Sequence, residues 1–370
     1  MKIVNITLHA INNYGSVFQA LATERLFEEF GCDVETIDYI RETAQEHTIG
    51  EIIRQKNSSW KQKIRVILSR LLTRQNTRSE KLDEFRKNYL HLTKQKYRSD
   101  LDLENNPPEA DIYCTGSDQT WNTVCQGGVP RAFFLHFVPE EKKKISFSAS
   151  FGVDALPEKD KAEVKELLQR YDSISVREIA GIDILHDMGI EGTLVADPTL
   201  AVEAEFWSEF AAPRMFQEDY LLAYQLNRNS RFTKYMKVYA KAKGVKLVHL
   251  RTHKDAWIRN GVCLTSPTPQ EWLSLFKYAK YVLTDSFHGT VFSLIFHKDF
   301  MNILPQNYSS RLESILNITG LDNRIIKDYN DYTYCDHPID YTPIDPILEK
   351  YRQETRNFLN KALLDKQITE

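Results

Sequence analysis

Short apolar runs ending in glycine, asparagine or serine recur along the chain, with amphipathic stretches at helical spacing between them. Residues 2–8 read as a strand, 15–30 as an amphipathic helix stopped by Gly31, and 34–37 as a second strand. That β-α-β opening predicts a parallel sheet. Strand patterns return at 111–114, 144–148 and 173–176, with helices at 159–170 and 179–188, and 195–198 reads as a further strand end. The acidic and aromatic stretch 203–210, followed by Pro213, marks a crossing into a second α/β set. There, strands at 220–224 and 246–250 flank a helix at 232–243, and a helix at 270–277 precedes the strand 281–283. A long charged helix, 345–366, closes the chain and is expected to pack back across both halves. The expected architecture is α/β: two Rossmann-like domains facing a cleft, GT-B-like, over 1–205 and 206–340, with a C-terminal helix in 341–370.

Composition adds bounds. A net charge of −3 argues against general nucleic-acid binding, and 42% hydrophobic with 27% charged residues is ordinary for a globular protein. The five cysteines are scattered, without C-x-x-C spacing, which points to a reducing cytoplasm. The N-terminal apolar run leads into Asn12-Asn13-Tyr14-Gly15 instead of a cleavage site, so it reads as a first strand. No run approaches the roughly 18–20 apolar residues that span a bilayer. Residues 51–100 carry fourteen Lys and Arg against five Asp and Glu. They read as an inserted helical pair in the first domain, with Trp60, Ile64, Ile67, Leu68 and Leu71 on one face. Its basic face is either simply solvated or a peripheral contact with anionic lipid or polymer.

The turns after the strands carry the candidate chemistry, since ligands of open parallel sheets bind at the strands' carboxyl ends. Asn13, Tyr14, Gly15 and Gln19 lie in the first such turn, which reads either as a plain helix cap or as a ligand cradle. It lacks G-x-G-x-x-G, so a dinucleotide site is not supported. Ser117, Asp118, Gln119, Trp121 and Asn122 join amides, a carboxylate and an indole, which suits a sugar's hydroxyl edge and apolar face. The competing reading is an Asx-type turn beside a core tryptophan. Ser150 sits in a small-residue loop, and Arg177 ends a strand, where it serves either an anionic ligand or an ion pair with an acid such as Glu178. Asp197 lies in a turn that reads as structural. The richest junction is Thr284-Asp285-Ser286-Phe287-His288-Gly289-Thr290, a strand-to-helix turn whose helix start attracts anions while His288 offers a proton carrier near neutral pH. Arg311 opens a later helix. No H-E-x-x-H or 2-His-1-carboxylate pattern occurs, so no metal is expected.

In this order, NNYGSVFQA, TGSDQTWN, SASFG, SVRE, ADPTL and TDSFHGTVFSLIF resemble the polysaccharide pyruvyl transferase family over about residues 3–320. The resemblance implies transfer of a pyruvyl group from phosphoenolpyruvate to sugar hydroxyls, as a cyclic ketal, with no cofactor beyond that co-substrate. It implies a general acid or base at His288, a donor-holding role for Arg177, and donor contacts from Ser286, Gly289, Thr290 and Arg311. It implies an oligosaccharide or lipid-linked acceptor, and a setting in the bacterial cytoplasm. Many members carry Arg-Leu-His where this chain has Ser286-Phe287-His288, so Arg311 or Lys298 is expected to supply the absent cation. Two other readings remain open: a glycosyltransferase using a sugar nucleotide, and a non-catalytic glycan-binding scaffold.

Overall fold

A computed structural model describes residues 1–40, 75–251, 261–305 and 309–364. Two five-stranded sheets organise it. The first contains β1 (Lys2–Ile6), β2 (Asp33–Tyr39), β3 (Leu92–Tyr97), β4 (Ile112–Thr115) and β5 (Lys143–Ser146), ordered β3-β2-β1-β4-β5. A two-stranded sheet follows, β6 (Ser175–Val176) with β7 (Thr193–Leu194). The second large sheet holds β8 (Tyr220–Gln225), β9 (Lys246–Arg251), β10 (Val262–Leu264), β11 (Tyr281–Thr284) and β12 (Asp299–Asn302), ordered β10-β9-β8-β11-β12. Every named strand pair is parallel. Both large sheets therefore have the same topology, with the order reversing between β1 and β4 in one and between β8 and β11 in the other. A reversal leaves a crevice beyond the strands' carboxyl ends, because the two following helices depart to opposite faces.

Helix α1 (Tyr14–Glu29) starts at Asn13, whose side chain accepts from Gly15 N–H, and is buried on almost every face. Its Tyr14 stacks on Trp272, and Phe18 packs against Trp207, Trp272 and Phe292, so one apolar core runs from the first sheet into the second half. Helix α2 (Gln75–Tyr89) buries Leu82 and Phe85 in that core. Helices α3 (Glu158–Leu168), α4 (Ile179–Asp187), α5 (Ser230–Ala242), α6 (Pro269–Lys277), α7 (Phe287–Ile295) and α8 (Ser310–Thr319) supply further cover. The last helix, α9 (Asp345–Leu364), sends Tyr351 Oη to Val195 O at 2.8 Å and receives Ala196 N–H on Thr355 Oγ1 at 2.9 Å. No described helix is long and apolar enough to cross a membrane.

The expected helical insertion needs correction. Within 51–100, α2 packs into the core and β3 is the first sheet's edge strand. Leu-Thr-Lys-Gln-Lys-Tyr carries only two apolar side chains, because an edge strand in water needs no continuous apolar run. The face built on Trp60, Ile64, Ile67, Leu68 and Leu71, and any lipid contact through it, lies outside the described residues. Strands β10 and β12, also at an edge, have apolar runs of only three and two residues, Val-Cys-Leu and Phe-Met, too short to mark them in the sequence.

Candidate functional site

The crevices of the two sheets face each other, and a cleft of about 280 Å³ lies between them. Its walls come from the turns after β1, β4, β8 and β11 and from the start of α8. Asn13, Asp118, Gln119, Ser286, His288 and Arg311 all line it.

On the second sheet's side, Ser286 caps α7 by accepting Gly289 N–H at 3.2 Å. Asp285 accepts from the N–H groups of Leu226 at 2.7 Å and Asn227 at 2.8 Å, tying the turn after β8 to the turn after β11. His288 is 5% exposed. Its imidazole lies so close to α1 that a Cβ on Gly15 would fall 2.0 Å from Nδ1, so that position admits only glycine. Nε2 has no hydrogen-bond partner and faces Asp197 Oδ2 at 3.8 Å. Burial outweighs the neighbouring carboxylates and pushes the imidazole down to about 4, which leaves it neutral near pH 7.

The first sheet's side is a dense charge network. Asp118 takes a left-handed backbone, φ 69°, which turns its carboxylate toward the cleft. It accepts from Ser16 Oγ at 2.8 Å and Arg177 Nη2 at 3.0 Å. Burial alone would raise this carboxyl; Arg177, His288 and Arg311 together hold it far below the usual carboxylate range. Arg177 also donates to Asp197 at 2.5 Å and to Ser117 Oγ at 3.1 Å, and its guanidinium lies 4.8 Å from the Phe287 ring centre. Glu178 accepts from Phe151 and Gly152 N–H, and burial raises its carboxyl.

Arg311 differs from Arg177. Its guanidinium lies 5.7 Å from the same Phe287 ring centre, and its nearest carboxylate among the described residues, Asp118, is 3.7 Å away. With the Gln119 amide oxygen turned toward it, Arg311 donates to that neutral oxygen from Nε at 3.2 Å, from Nη1 at 3.3 Å and from Nη2. Burial, with Arg177 nearby, lowers its guanidinium to about 10, still charged at neutral pH. Lys298 lies beyond the far end of α7 and does not line the cleft. Of the two cations expected to replace the family arginine, Arg311 is the one that lines the cleft together with Ser286.

Several expected site residues lie elsewhere. Arg177 has a side-chain exposure of 0%, and its charge is spent on Asp118 and Asp197, so it braces the wall instead of meeting a ligand. Trp121 is fully buried between Phe134 and Phe151 and donates to Phe133 O, because the turn at Asp118 directs the indole inward. Tyr14 gives its hydroxyl to Pro267 O, and Gln19 gives its amide to Thr7 Oγ1 and Ser16 O. Asn122 caps a short helix, Ser117 serves Arg177, and Ser150 is fully buried. Gly289 lets α7 approach Thr284 and Tyr224, and Thr290 bonds Asn302 on β12, so neither faces the cleft. Ser16, Asn227, Asp285 and Phe287 were not singled out from the sequence, although three of them lie inside quoted turns. Asp197, read there as structural, faces His288. Among the described residues no group of three or more His, Cys, Asp and Glu could hold a metal.

Solved structures share this architecture at low identity. A putative UDP-N-acetylglucosamine 2-epimerase from Listeria monocytogenes superposes with TM-score 0.52 at 9% identity, covering 97% of this chain and 95% of that one. The UDP-GlcNAc 2-epimerase from Neisseria meningitidis, bound to UDP-GlcNAc, gives 0.51 at 10%, covering 99% and 100%. These are GT-B proteins, and at such identity they establish the fold alone. No curated protein matches by sequence. The family model for polysaccharide pyruvyl transferase matches residues 13–307, a span that runs from the cap of α1 past β12, and the chain belongs to the polysaccharide pyruvyl transferase family.

Proposed function

We propose that the chain transfers the pyruvyl group of phosphoenolpyruvate to hydroxyls of a sugar in a surface polysaccharide or its precursor, forming a pyruvate ketal and releasing phosphate. The observation that carries this reading is the meeting of Arg311, the start of α7 and a neutral His288 in one small cleft. Phosphoenolpyruvate brings a carboxylate and a phosphate, which favour a guanidinium and a helix N-terminus. Arg311 is the cleft-lining cation with the weaker carboxylate hold, and it replaces an arginine that many members carry at the Ser286 position.

The chemistry needs a proton at the donor's methylene carbon, two sugar oxygens at C2, and departure of phosphate. A neutral imidazole is suited to take the first hydroxyl's proton, and Asp197 opposite Nε2 stabilises the imidazolium that results. The arriving anionic donor helps the imidazole hold that proton until His288 delivers it to the methylene carbon; the second hydroxyl then displaces phosphate at C2, and its proton leaves with the phosphate. Asn13, Asp118 and Gln119 offer donors and acceptors that can orient the hydroxyls, which supplies an entropic share of the rate. The donor serves as co-substrate and no cofactor is invoked. The reading assigns the reaction to the cytoplasm, on an oligosaccharide or lipid-linked acceptor.

A thermal-shift series tests it. Phosphoenolpyruvate at 100 times its dissociation constant should add about 2.7 kcal/mol of stability, and UDP- or GDP-sugars should add none. A candidate oligosaccharide incubated with donor and protein should gain the mass of a pyruvate ketal. Stabilisation by a sugar nucleotide alone would replace this reading with glycosyl transfer.

A further inference from the structure

The cleft continues past Pro305. Asn227, Asp285 and Pro305 are walls it shares with a larger cavity of about 710 Å³. That cavity in turn shares Arg231 and Tyr329 with a third, of about 380 Å³. Together they form a track that leads from His288 outward over the start of α5.

The track is basic. Arg228 and Arg231 line its middle section, and Arg231, Lys234 and Lys327 line its outer one. Two carboxylates accompany these four cations, Asp285 and Asp328. Both oxygens of Asp285 are already engaged by Leu226 and Asn227, and Asp328 Oδ1 accepts from Asn330. Arg231, Lys234 and Lys327 alone outnumber these two carboxylates, so the track keeps a net positive charge. At its middle, the Arg231 guanidinium lies 5.6 Å from the Tyr329 ring centre. An aromatic face next to a guanidinium suits a sugar ring that carries an anionic substituent. The volumes point the same way. The first cavity, about 280 Å³, is at the lower end for a small ligand and leaves little room beyond the donor and one reacting sugar edge. The remainder of an acceptor needs the adjoining space.

Resting on the pyruvyl-transfer reading, we propose that this track binds the acceptor and selects a glycan that carries a phosphate, as monoester or diester, away from the reacting hydroxyls. Neutral glycans of the same sugars bind there more weakly.

The test uses the full chain and three probes: mannotriose, its terminal phosphate monoester, and the methyl phosphodiester of that terminus. Calorimetry should show one or both charged forms binding at least tenfold tighter than the neutral one. Preference for the monoester identifies a charged chain end, and equal binding of both identifies an internal linkage. The double variant Arg231→Glu, Lys234→Glu changes two exposed side chains outside the catalytic cleft. It should bring all three probes to parity while leaving phosphoenolpyruvate affinity unchanged, which also shows that the variant is folded. Equal binding of charged and neutral forms by the unaltered protein, no binding of the charged forms, or a preference that survives the double substitution would overturn the proposal. Failure of phosphoenolpyruvate to bind the unaltered protein would instead sink the pyruvyl-transfer reading, whatever the glycans do.

Discussion

On the first sheet's side of the cleft, Arg177 is enclosed by Asp197 at 2.5 Å, Asp118 at 3.0 Å and the Phe287 ring. On the second sheet's side, among the described residues, Arg311 stands 3.7 Å from its nearest carboxylate, and His288 Nε2 has no hydrogen-bond partner. One arginine completes a closed circuit of charge; the other waits for one. The difference separates scaffold from chemistry more sharply than residue type does. Arg177 has both Nη atoms on carboxylates, and its Nε is buried 4.0 Å from Glu178, so it holds the wall in place and presents no nitrogen to an incoming anion. A guanidinium held mainly by a neutral amide oxygen, beside a neutral imidazole, gains most from a ligand that brings negative charge.

Removing Arg177 is the strongest way to break this contrast. Arg177→Met leaves Asp118 and Asp197 buried without their cation and should cost about 3–5 kcal/mol in urea unfolding. If it proves neutral, the wall is not held as argued. Next comes pH. The His288 and His249 imidazoles are both pushed down to about 4 by burial, against about 6.5 when unfolded. A folded value below the unfolded one means the unfolded chain takes up protons first as pH falls. Stability is then complete above pH 6.5 and drains away toward pH 4, by about 2 kcal/mol per imidazole at pH 5. His288→Gln should remove one such share from the difference between unfolding at pH 7 and pH 5; an unchanged difference would mean that His288 is not buried as a neutral ring. The same variant should lower turnover by about 10² or more. The smallest effect belongs to Arg311→Ala. Loss of one charged contact, about 1.5–3 kcal/mol, should raise the KM for phosphoenolpyruvate roughly 10- to 100-fold and change stability much less than Arg177→Met does. If the two arginine variants behave alike, the contrast fails.

Much of this was legible in the residues. β11 and α7 announce themselves because an apolar run gives way to Thr-Asp-Ser and then to another apolar run, and both elements are buried on all sides. The paired sheets follow from repeated strand-helix alternation. Trp121 was harder. An indole among amides looks like a sugar platform, and only the left-handed backbone at Asp118 decides that it points into the core. Gly289 and Thr290 look like ligand contacts for a similar reason: a helix start needs small and hydroxylated residues whether it seats a ligand or its own sheet. Arg177 and Arg311 cannot be ranked from sequence, since which acid each meets depends on segments far apart in the chain, Asp118 and Asp197 for one and Asp118 for the other.

Phe18 stands wedged among Trp207, Trp272 and Phe292, side chains that belong to the second half's share of the same core. Swinging the lobes apart would shear that aromatic stack and wet it. Any widening of the cleft therefore carries the cost of hydrating those rings, which favours a ligand that fits the aperture as it stands.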